Sequence, residues 1–378
     1  MKNNKKIKVA VAISGGVDSS VSAFLLKKKG YDVVGVFMKN WEEDDTNKYC
    51  HSTIDFKDAY TICQFLNIKL YTVNFSYEYW NYVFQYFLDD LNMGFTPNPD
   101  VLCNKKIKFK IFLEYALDYL KADYIATGHY VNKLIVNDAY YLMRSLDIKK
   151  DQSYFLYSLN QYQLKKSIFP IGNLTKFQVR KIASKLGLIT ANKKNSVGIC
   201  FIGKRNFKKF LVEYIPQKPG LIIDTNGLVV GKHIGIMFYT LGQRKGLGIG
   251  GRKNKNNKPW YVLDKDFKKN ILIVTQEPND IFYMACGFFI KKINWINPID
   301  FYLKKKISVK IRYRQRDLPC LISNSNSHNK MKVTLFNPVP FITPGQSAVF
   351  YQDLICLGGG IIEKIIYKNY IKNNIING

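Results

Sequence analysis

Seven residues, Ser14-Gly-Gly-Val-Asp-Ser-Ser20, constrain this 378-residue chain more than any other stretch. They follow Val9-Ala-Val-Ala-Ile13, a continuous apolar run that reads as a strand buried on both faces. Ser19 to Lys29 then reads as a helix, closed by Gly30. A strand that turns into a helix through two glycines gathers the free N–H groups of the first helical turn at one point, where an anion is stabilised. Gly15 and Gly16 let the backbone approach a phosphate, and Ser14, Ser19 and Ser20 add hydroxyl donors around Val17. Asp18 is placed to hold Mg²⁺ or to orient the loop. No Gly-Lys-Ser/Thr follows, which excludes a Walker A loop. An ordinary glycine-containing turn is the plain alternative, and the placement directly after a buried strand speaks against it.

The stretch up to about residue 130 repeats the strand–helix alternation. Val33–Met38, Lys69–Phe75 and Tyr124–Thr127 read as strands, the last running into Gly128-His129. Ala59, Ile62, Cys63 and Leu66 share one helical face, and Tyr77–Leu91 and Asn104–Leu120 read as further helices. This predicts an α/β doubly wound parallel sheet, with ligands at the carboxyl ends of its strands. From about Leu146 short helices take over, Leu159–Ser167 and Lys176–Leu186 being the clearest. From about Phe207 short strand-like runs alternate with Gly, Pro and Asn turns, as in small β domains and barrels. Four segments follow: 1–145, a phosphate-binding domain; 146–206, a helical insertion packed on it; 207–288, a small central β domain; and 289–378, a C-terminal β-barrel.

Charge points to a partner. Lys and Arg number 57 against 28 Asp and Glu, a formal net charge of +29 that suits a polyanion. Only eight of those cations are Arg, and the abundance of Lys, Asn, Ile and Tyr also fits a genome biased to AT-rich codons. The Arg positions are therefore more informative than the Lys total. No run reaches the ~18–20 apolar residues of a membrane span, and no signal-peptide pattern follows Met1, so a soluble cytoplasmic protein is expected. The seven cysteines include no C-x-x-C pair, which supports neither a zinc ribbon nor a disulfide framework.

Two cysteines stand out. Cys103 lies just before a helix expected to begin near Asn104, beside Lys105, Lys106 and Lys108, and a helix N-terminus with cations stabilises a thiolate. Asp100 stands three residues earlier, as a candidate general acid or base or as a mere turn former. Cys200 lies in a glycine-flanked stretch and, taken alone, reads as a buried thiol. Arg312 and Arg314 fall on one face of an expected barrel strand, as phosphate contacts require.

The turn at Ser14–Ser20 resembles the PP-loop of ATP pyrophosphatases, which grip ATP and release pyrophosphate while AMP activates an oxygen. Further motifs narrow the choice: Asn98–Lys110, Lys150–Leu156, Gly198–Gly203, Tyr239–Gly251 and Phe341–Phe350 together resemble the tRNA-specific 2-thiouridylases, in order from about Lys8 to about Ile362. The resemblance implies an ATP-dependent sulfurtransferase that replaces the C2 oxygen of the wobble uridine in tRNAs for Lys, Glu and Gln. It makes Cys103 the nucleophile and Cys200 the persulfide carrier, with Asp100 as acid or base. It assigns Ser14–Ser20, Met38 and Gly128 to ATP, with Mg²⁺ bridging the phosphates. It assigns Asn98, Pro99 and Asp100 to the target base, and Lys150, Asp151, Gln152, Arg312 and Tyr313 to tRNA. It implies a monomer served by a sulfur-relay protein or a cysteine desulfurase. One departure is Asn195-Ser196, where the family pattern has Asp-Ser; Asn keeps hydrogen bonding but loses a charge. An ammonia-transferring PP-loop synthetase is the rival enzyme, and it has no need of Cys103 or Cys200. A tRNA-binding remnant without ATP turnover is the non-enzymatic rival.

Overall fold

The strand that precedes the glycine turn is the centre of a parallel sheet. A computed structural model describes residues 6–42, 51–193, 207–249, 258–279, 283–298, 307–325 and 329–367. Strands β1 (Lys8–Ala12), β2 (Asp32–Lys39), β3 (Lys69–Asn74) and β4 (Tyr124–Ala126) are followed by a hairpin, β5 (Val131–Val136) and β6 (Ala139–Arg144), and by the short β7 (Ser167–Ile168). The sheet order is β3-β2-β1-β4-β7, every pair parallel. The strand order reverses between β1 and β4, so the crevice for a ligand opens where the glycine turn stands. Helices α1 (Val17–Lys28) and α2 (His51–Phe65) cover one face through Val9, Val11, Ala23, Leu26, Ile62 and Leu66. Because β7 comes from beyond residue 145, that boundary cuts through a single sheet.

On the other face, residues 76–92 form one helical run with a π-turn at Trp80–Phe84. A second run covers 99–118, with Cys103–Ile111 in π geometry. It begins at Pro99, five residues before the expected start at Asn104. Asn at the N-cap, Pro at the first helical position and Asp next are a helix-start signal, not a loop.

The central domain holds β8 (Gly220–Asp224), β9 (Val229–His233), β10 (Tyr261–Asp266) and β11 (Ile271–Thr275), in the order β10-β11-β8-β9. The last domain is a closed barrel of β12 (Ala285–Trp295), β13 (Ile307–Lys310), β14 (Leu318–Asn324), β15 (Met331–Val339), β16 (Ser347–Gln352) and β17 (Ile355–Tyr367), sealed by the β12–β17 pairing. Strand β13 stops at Lys310, so Arg312-Tyr-Arg-Gln315 forms a turn and the expected strand alternation does not apply to it.

The β5–β6 hairpin turns through Asn137 and Asp138, both at positive φ, and its β6 joins the barrel sheet by pairing Met143 with Ile355 and Leu142 with Cys356. Behind it, the Arg144 guanidinium lies 3.8 Å from the centre of the Tyr351 ring and forms a two-pronged ion pair with Asp317. One apolar cluster runs through all three domains, from Val36 and Phe109 to Val262 and Tyr351. The domains are therefore one packed body.

Candidate functional site

The glycine turn is built from its own short-range bonds. Gly15 is at φ 67° and Gly16 is the N-cap of α1, with no side chain capping the helix. The first-turn N–H groups are thus left for an anion. Ser19 Oγ accepts from the Ser14 N–H at 3.2 Å and donates to the Gly16 carbonyl at 3.0 Å, and Ser20 Oγ donates to the same carbonyl at 2.8 Å. Two glycines admit no side chain here. A Cβ on Gly15 would stand 2.3 Å from the Asp55 carbonyl oxygen, and one on Gly128 would stand 2.8 Å from the Ser19 nitrogen. Gly128 therefore closes onto the turn from the end of β4, bringing two expected nucleotide positions together. Val17 is buried beneath the turn, and Met38, at the end of β2, is a buried core residue.

Asp18 orients the loop. Its carboxylate accepts from Lys176 Nζ at 2.7 Å on both oxygens and from the Tyr130 hydroxyl at 2.7 Å. Burial, followed by the charge of Asp18, pushes the Tyr130 phenol far up, so it stays a donor. Lys193 Nζ donates to the Gly15 carbonyl at 3.0 Å and pairs with Asp55 at 2.8 Å and with Asp58. Neither lysine stood out in the sequence, where each is one of 49. Among the described residues no group of three His, Cys, Asp or Glu side chains could hold a metal ion. With its uncapped N–H groups and its glycine floor, the turn fits an anion such as a phosphate, while the Ser19 and Ser20 hydroxyls brace its backbone.

The second centre lies around Asn98–Cys103. The Asn98 side chain hydrogen-bonds Tyr154 instead of capping its helix. Pro99 is buried at the first helical position and Asp100 is half-buried in the first turn. Cys103 is 0% exposed, and its N–H points back to the Pro99 and Asp100 carbonyls, so the free helix end is not at the thiol. The π-turn that starts at Cys103 is a type of distortion frequent at functional sites. Six residues on, the Phe109 ring lies 5.8 Å from that of His129, which follows Gly128. The thiol-bearing run and the nucleotide turn thus meet at one strand end. Cys200, Asn195 and the surrounding Gly198–Gly203 motif lie outside the described residues.

Both C-terminal domains grip the segment that leads to Asn98. From the barrel, the Pro344 carbonyl accepts from the Thr96 N–H at 3.0 Å, Gln346 Nε2 donates to the Thr96 carbonyl at 2.7 Å, and Lys291 lies over the Phe95 ring. From the central domain, Lys265 Nζ donates to the Gly94 carbonyl at 3.3 Å, and the Phe267 ring fills the space where a Gly94 side chain would stand.

The expected tRNA contacts separate. Asp151 is 4% exposed and accepts from the Ser145 and Ser153 N–H groups and, at 2.7 Å, from the Ser153 hydroxyl. Gln152 Oε1 accepts from the Tyr130 N–H at 2.9 Å. Both side chains face inward and hold the loop; Lys150 is half-buried beside them. Arg312 donates to the Leu241 and Phe341 carbonyls at 2.9 and 3.0 Å and to Thr343 Oγ1 at 3.2 Å. Its guanidinium ties the barrel to the central domain, and Arg314 and Arg316 are the exposed cations of that turn. Tyr313 packs its ring 4.4 Å from Phe155, whose carbonyl accepts from Asn104 Nδ2 at 3.4 Å.

Three family models match in series: a tRNA methyl transferase HUP domain over residues 7–204, a tRNA methyl transferase PRC-barrel domain over 208–276 and an aminomethyltransferase beta-barrel domain over 286–362. A tRNA-specific 2-thiouridylase MnmA from Photorhabdus laumondii is 54% identical over 96% of this chain and 99% of its own length. One of the same name from Proteus mirabilis is 53% identical over 97% of this chain and 100% of its own. Among solved structures, an NMN synthetase from Francisella tularensis overlaps 55% of this chain and 73% of that one at 20% identity, with a TM-score of 0.34.

Proposed function

The chain belongs to the tRNA-specific 2-thiouridylase family, and from that premise we propose how its residues divide the work. It is a tRNA-uridine sulfurtransferase that uses ATP to place sulfur at C2 of a uridine, giving 2-thiouridine, AMP and pyrophosphate. The targets are the wobble uridines of the tRNAs for Lys, Glu and Gln. The structural support is the junction at Gly128-His129, where the nucleotide turn and the helical run carrying Cys103 meet.

Ser14–Ser20 and Gly128 hold ATP, with Met38 below the adenosine. Mg²⁺ bound together with ATP would offset the charge of the phosphates; the Asp18 carboxylate is already engaged by Lys176 and Tyr130. The uridine leaves its stack and enters beside Asn98–Asp100. Its C2 oxygen takes the AMP group and pyrophosphate departs, with Asp100 managing the proton. Cys200 carries a persulfide delivered by a sulfur-relay protein or a cysteine desulfurase. The terminal sulfur attacks C2, the C2–O bond breaks and AMP leaves. Cys103 thiolate then attacks Cys200 Sγ, releasing 2-thiouridine and forming a Cys103–Cys200 disulfide that an external thiol must reduce. Cys103 has no exposed surface, so for this step either Cys200 already faces it or a segment carrying one of the two cysteines must move. Arg314 and Arg316 meet tRNA phosphates, while Arg312, Asp151 and Gln152 shape the surface behind them. The protein works as a cytoplasmic monomer.

A single turnover with ³⁵S-labelled persulfide donor tests the division of roles. Cys103→Ser should keep label on Cys200 and fail to thiolate, whereas Cys200→Ser should carry label on neither cysteine. Label found on Cys103 in place of Cys200 would reverse the assignment. Thiolation by both variants would mean a sulfide donor that needs no protein thiol.

A further inference from the structure

We propose that Tyr130 and Lys176 are positioning residues that couple RNA binding at the loop around Lys150 to ATP binding at the glycine turn. This rests on the tRNA and ATP reading above and adds how each ligand senses the other. The resemblance assigns Lys150, Asp151 and Gln152 to tRNA, yet the side chains of Asp151 and Gln152 face inward. Ile148 and Lys149 are exposed beside the half-buried Lys150. Residues open to a ligand and residues that reach the turn are thus chain neighbours.

Two arms run from this loop to one carboxylate. In the first, Gln152 holds the Tyr130 backbone twice: its N–H donates to the Tyr130 carbonyl and its Oε1 accepts from the Tyr130 N–H, each at 2.9 Å. Tyr130 is 3% exposed and donates its hydroxyl to Asp18 Oδ1 at 2.7 Å. In the second arm, the Asp147 carbonyl accepts from the Lys150 N–H at 2.8 Å, and Asp147 Oδ2 accepts from the Lys176 N–H at 3.0 Å. Lys176 opens the helix Lys176–Lys185, where an acid is favoured, so Asp147 also anchors that helix to the loop. Lys176 Nζ then donates to both Asp18 oxygens at 2.7 Å and lies 5.8 Å from the centre of the Tyr130 ring, so the arms brace each other.

Asp18 stands in the first turn of α1, whose uncapped N–H groups face the expected phosphates. A bare carboxylate there repels a triphosphate, and the Lys176 ammonium and the Tyr130 hydroxyl offset that charge. ATP affinity therefore depends on both arms staying in place. An RNA phosphate bound at Lys149 or Lys150 orders the loop, and the ordered loop keeps Tyr130 and Lys176 on Asp18. By linkage, ATP at the turn favours the same arrangement of the loop and tightens RNA binding by an equal factor.

Equilibrium dialysis of an ATP analogue with a non-cleavable α–β bridge, on the full chain with and without saturating tRNA, reads this coupling. The parent should bind the analogue about fivefold or more tighter with tRNA present, and tRNA should bind tighter by the same factor with the analogue present. Tyr130→Phe loses one hydroxyl and keeps the buried ring, so thermal melting should show a folded protein, while its coupling factor should fall to about twofold or less. Asp147→Ala removes the acceptor of the other arm and should lower the factor as well. A purely structural role would change affinity equally with and without tRNA and leave their ratio as in the parent. Equal analogue affinity with and without tRNA in the parent, or the parental ratio kept in either variant, would overturn this proposal alone. A parent protein that binds neither tRNA nor the analogue would overturn the functional reading with it.

Discussion

The nucleotide turn and the Asn98–Cys103 segment are made in opposite ways. Bonds spanning three to five residues define the turn, and its outer supports, Tyr130, Lys176 and Lys193, come from the same family domain. The stretch that leads into the Asn98–Cys103 segment, residues 94–96, is fixed from outside, by Lys265 and Phe267 of the central domain and by Gln346 and Pro344 of the barrel. A phosphate asks the same of every protein, so a self-contained turn can be reused. A base within a folded RNA has to be met in register with its own backbone, and on the proposed reading the clasp would tie the base-binding segment to the surfaces proposed to meet that backbone.

The contrast can be broken most forcefully at its self-contained end. Gly128→Ala places a Cβ against the Ser19 nitrogen, with no flexible side chain to yield. A tRNA-dependent pyrophosphate-exchange assay should show a loss of about 10³-fold or more, and tRNA binding by the same protein should be retained. Loss of both would mean that the two centres are not separable.

Next comes the tie between hairpin and barrel. Asp317→Asn leaves Arg144 buried without its counter-charge, a change that costs about 3–5 kcal/mol. Thermal melting should show the lower stability, and tRNA binding should suffer more than ATP binding. An unchanged melting temperature would mean that the hairpin pairing alone seats the barrel.

The strand end where the centres meet has a pH signature. Burial holds the His129 imidazole well below its ordinary pKa, so it stays neutral in the fold. The unfolded chain takes up that proton near pH 6.5. The unfolded state therefore binds more protons below that pH, and stability falls as pH drops through about 6.5, by up to ~1.4 kcal/mol per pH unit for one group. His233 is shifted the same way and adds to the slope. Urea unfolding between pH 5 and 7 should show His129→Asn with a shallower dependence than the parent. An equal slope would assign the effect to other groups.

The gentlest test is at the clasp. Gln346→Ala removes one 2.7 Å bond to the Thr96 carbonyl, worth about 1 kcal/mol, or roughly fivefold in kcat/KM for thiolation. ATP affinity should stay constant, and a parallel change in it would merge the two centres into one.

The same contrast explains what the sequence made legible. The glycine turn and the parallel sheet were readable because their signals lie among chain neighbours, whereas Gly128, which meets Ser19 from a distant part of the chain, stood out only through the family resemblance. The start of the helical run at Pro99 was readable in principle, since Asn-Pro-Asp is a cap followed by a first turn, but a proline within a polar stretch reads more readily as a loop. The β5–β6 hairpin had its signal too, an Asn-Asp pair between two strand-forming runs. Arg312 was misread because one residue decides whether a strand continues: β13 ends at Lys310, and the guanidinium turns to carbonyls of two domains. Lys176 and Lys193 could not be found by inspection, because tertiary placement alone distinguishes them from other lysines.

The pairing of β6 with β17 also sets a timetable. Met143 meets Ile355, a partner made 212 residues later. At a synthesis rate of about 5–20 residues per second, the hairpin waits roughly 10–40 s with one edge unpaired. Once Lys193 is made, the glycine turn has all its supports, while the clasp around Phe95 and Thr96 still has no barrel to form it. The nascent chain should therefore gain a grip on ATP before it can seat an RNA. An unpaired strand edge is also open to a neighbouring chain, so the β6 edge is where crowded polysomes would first show misassembly.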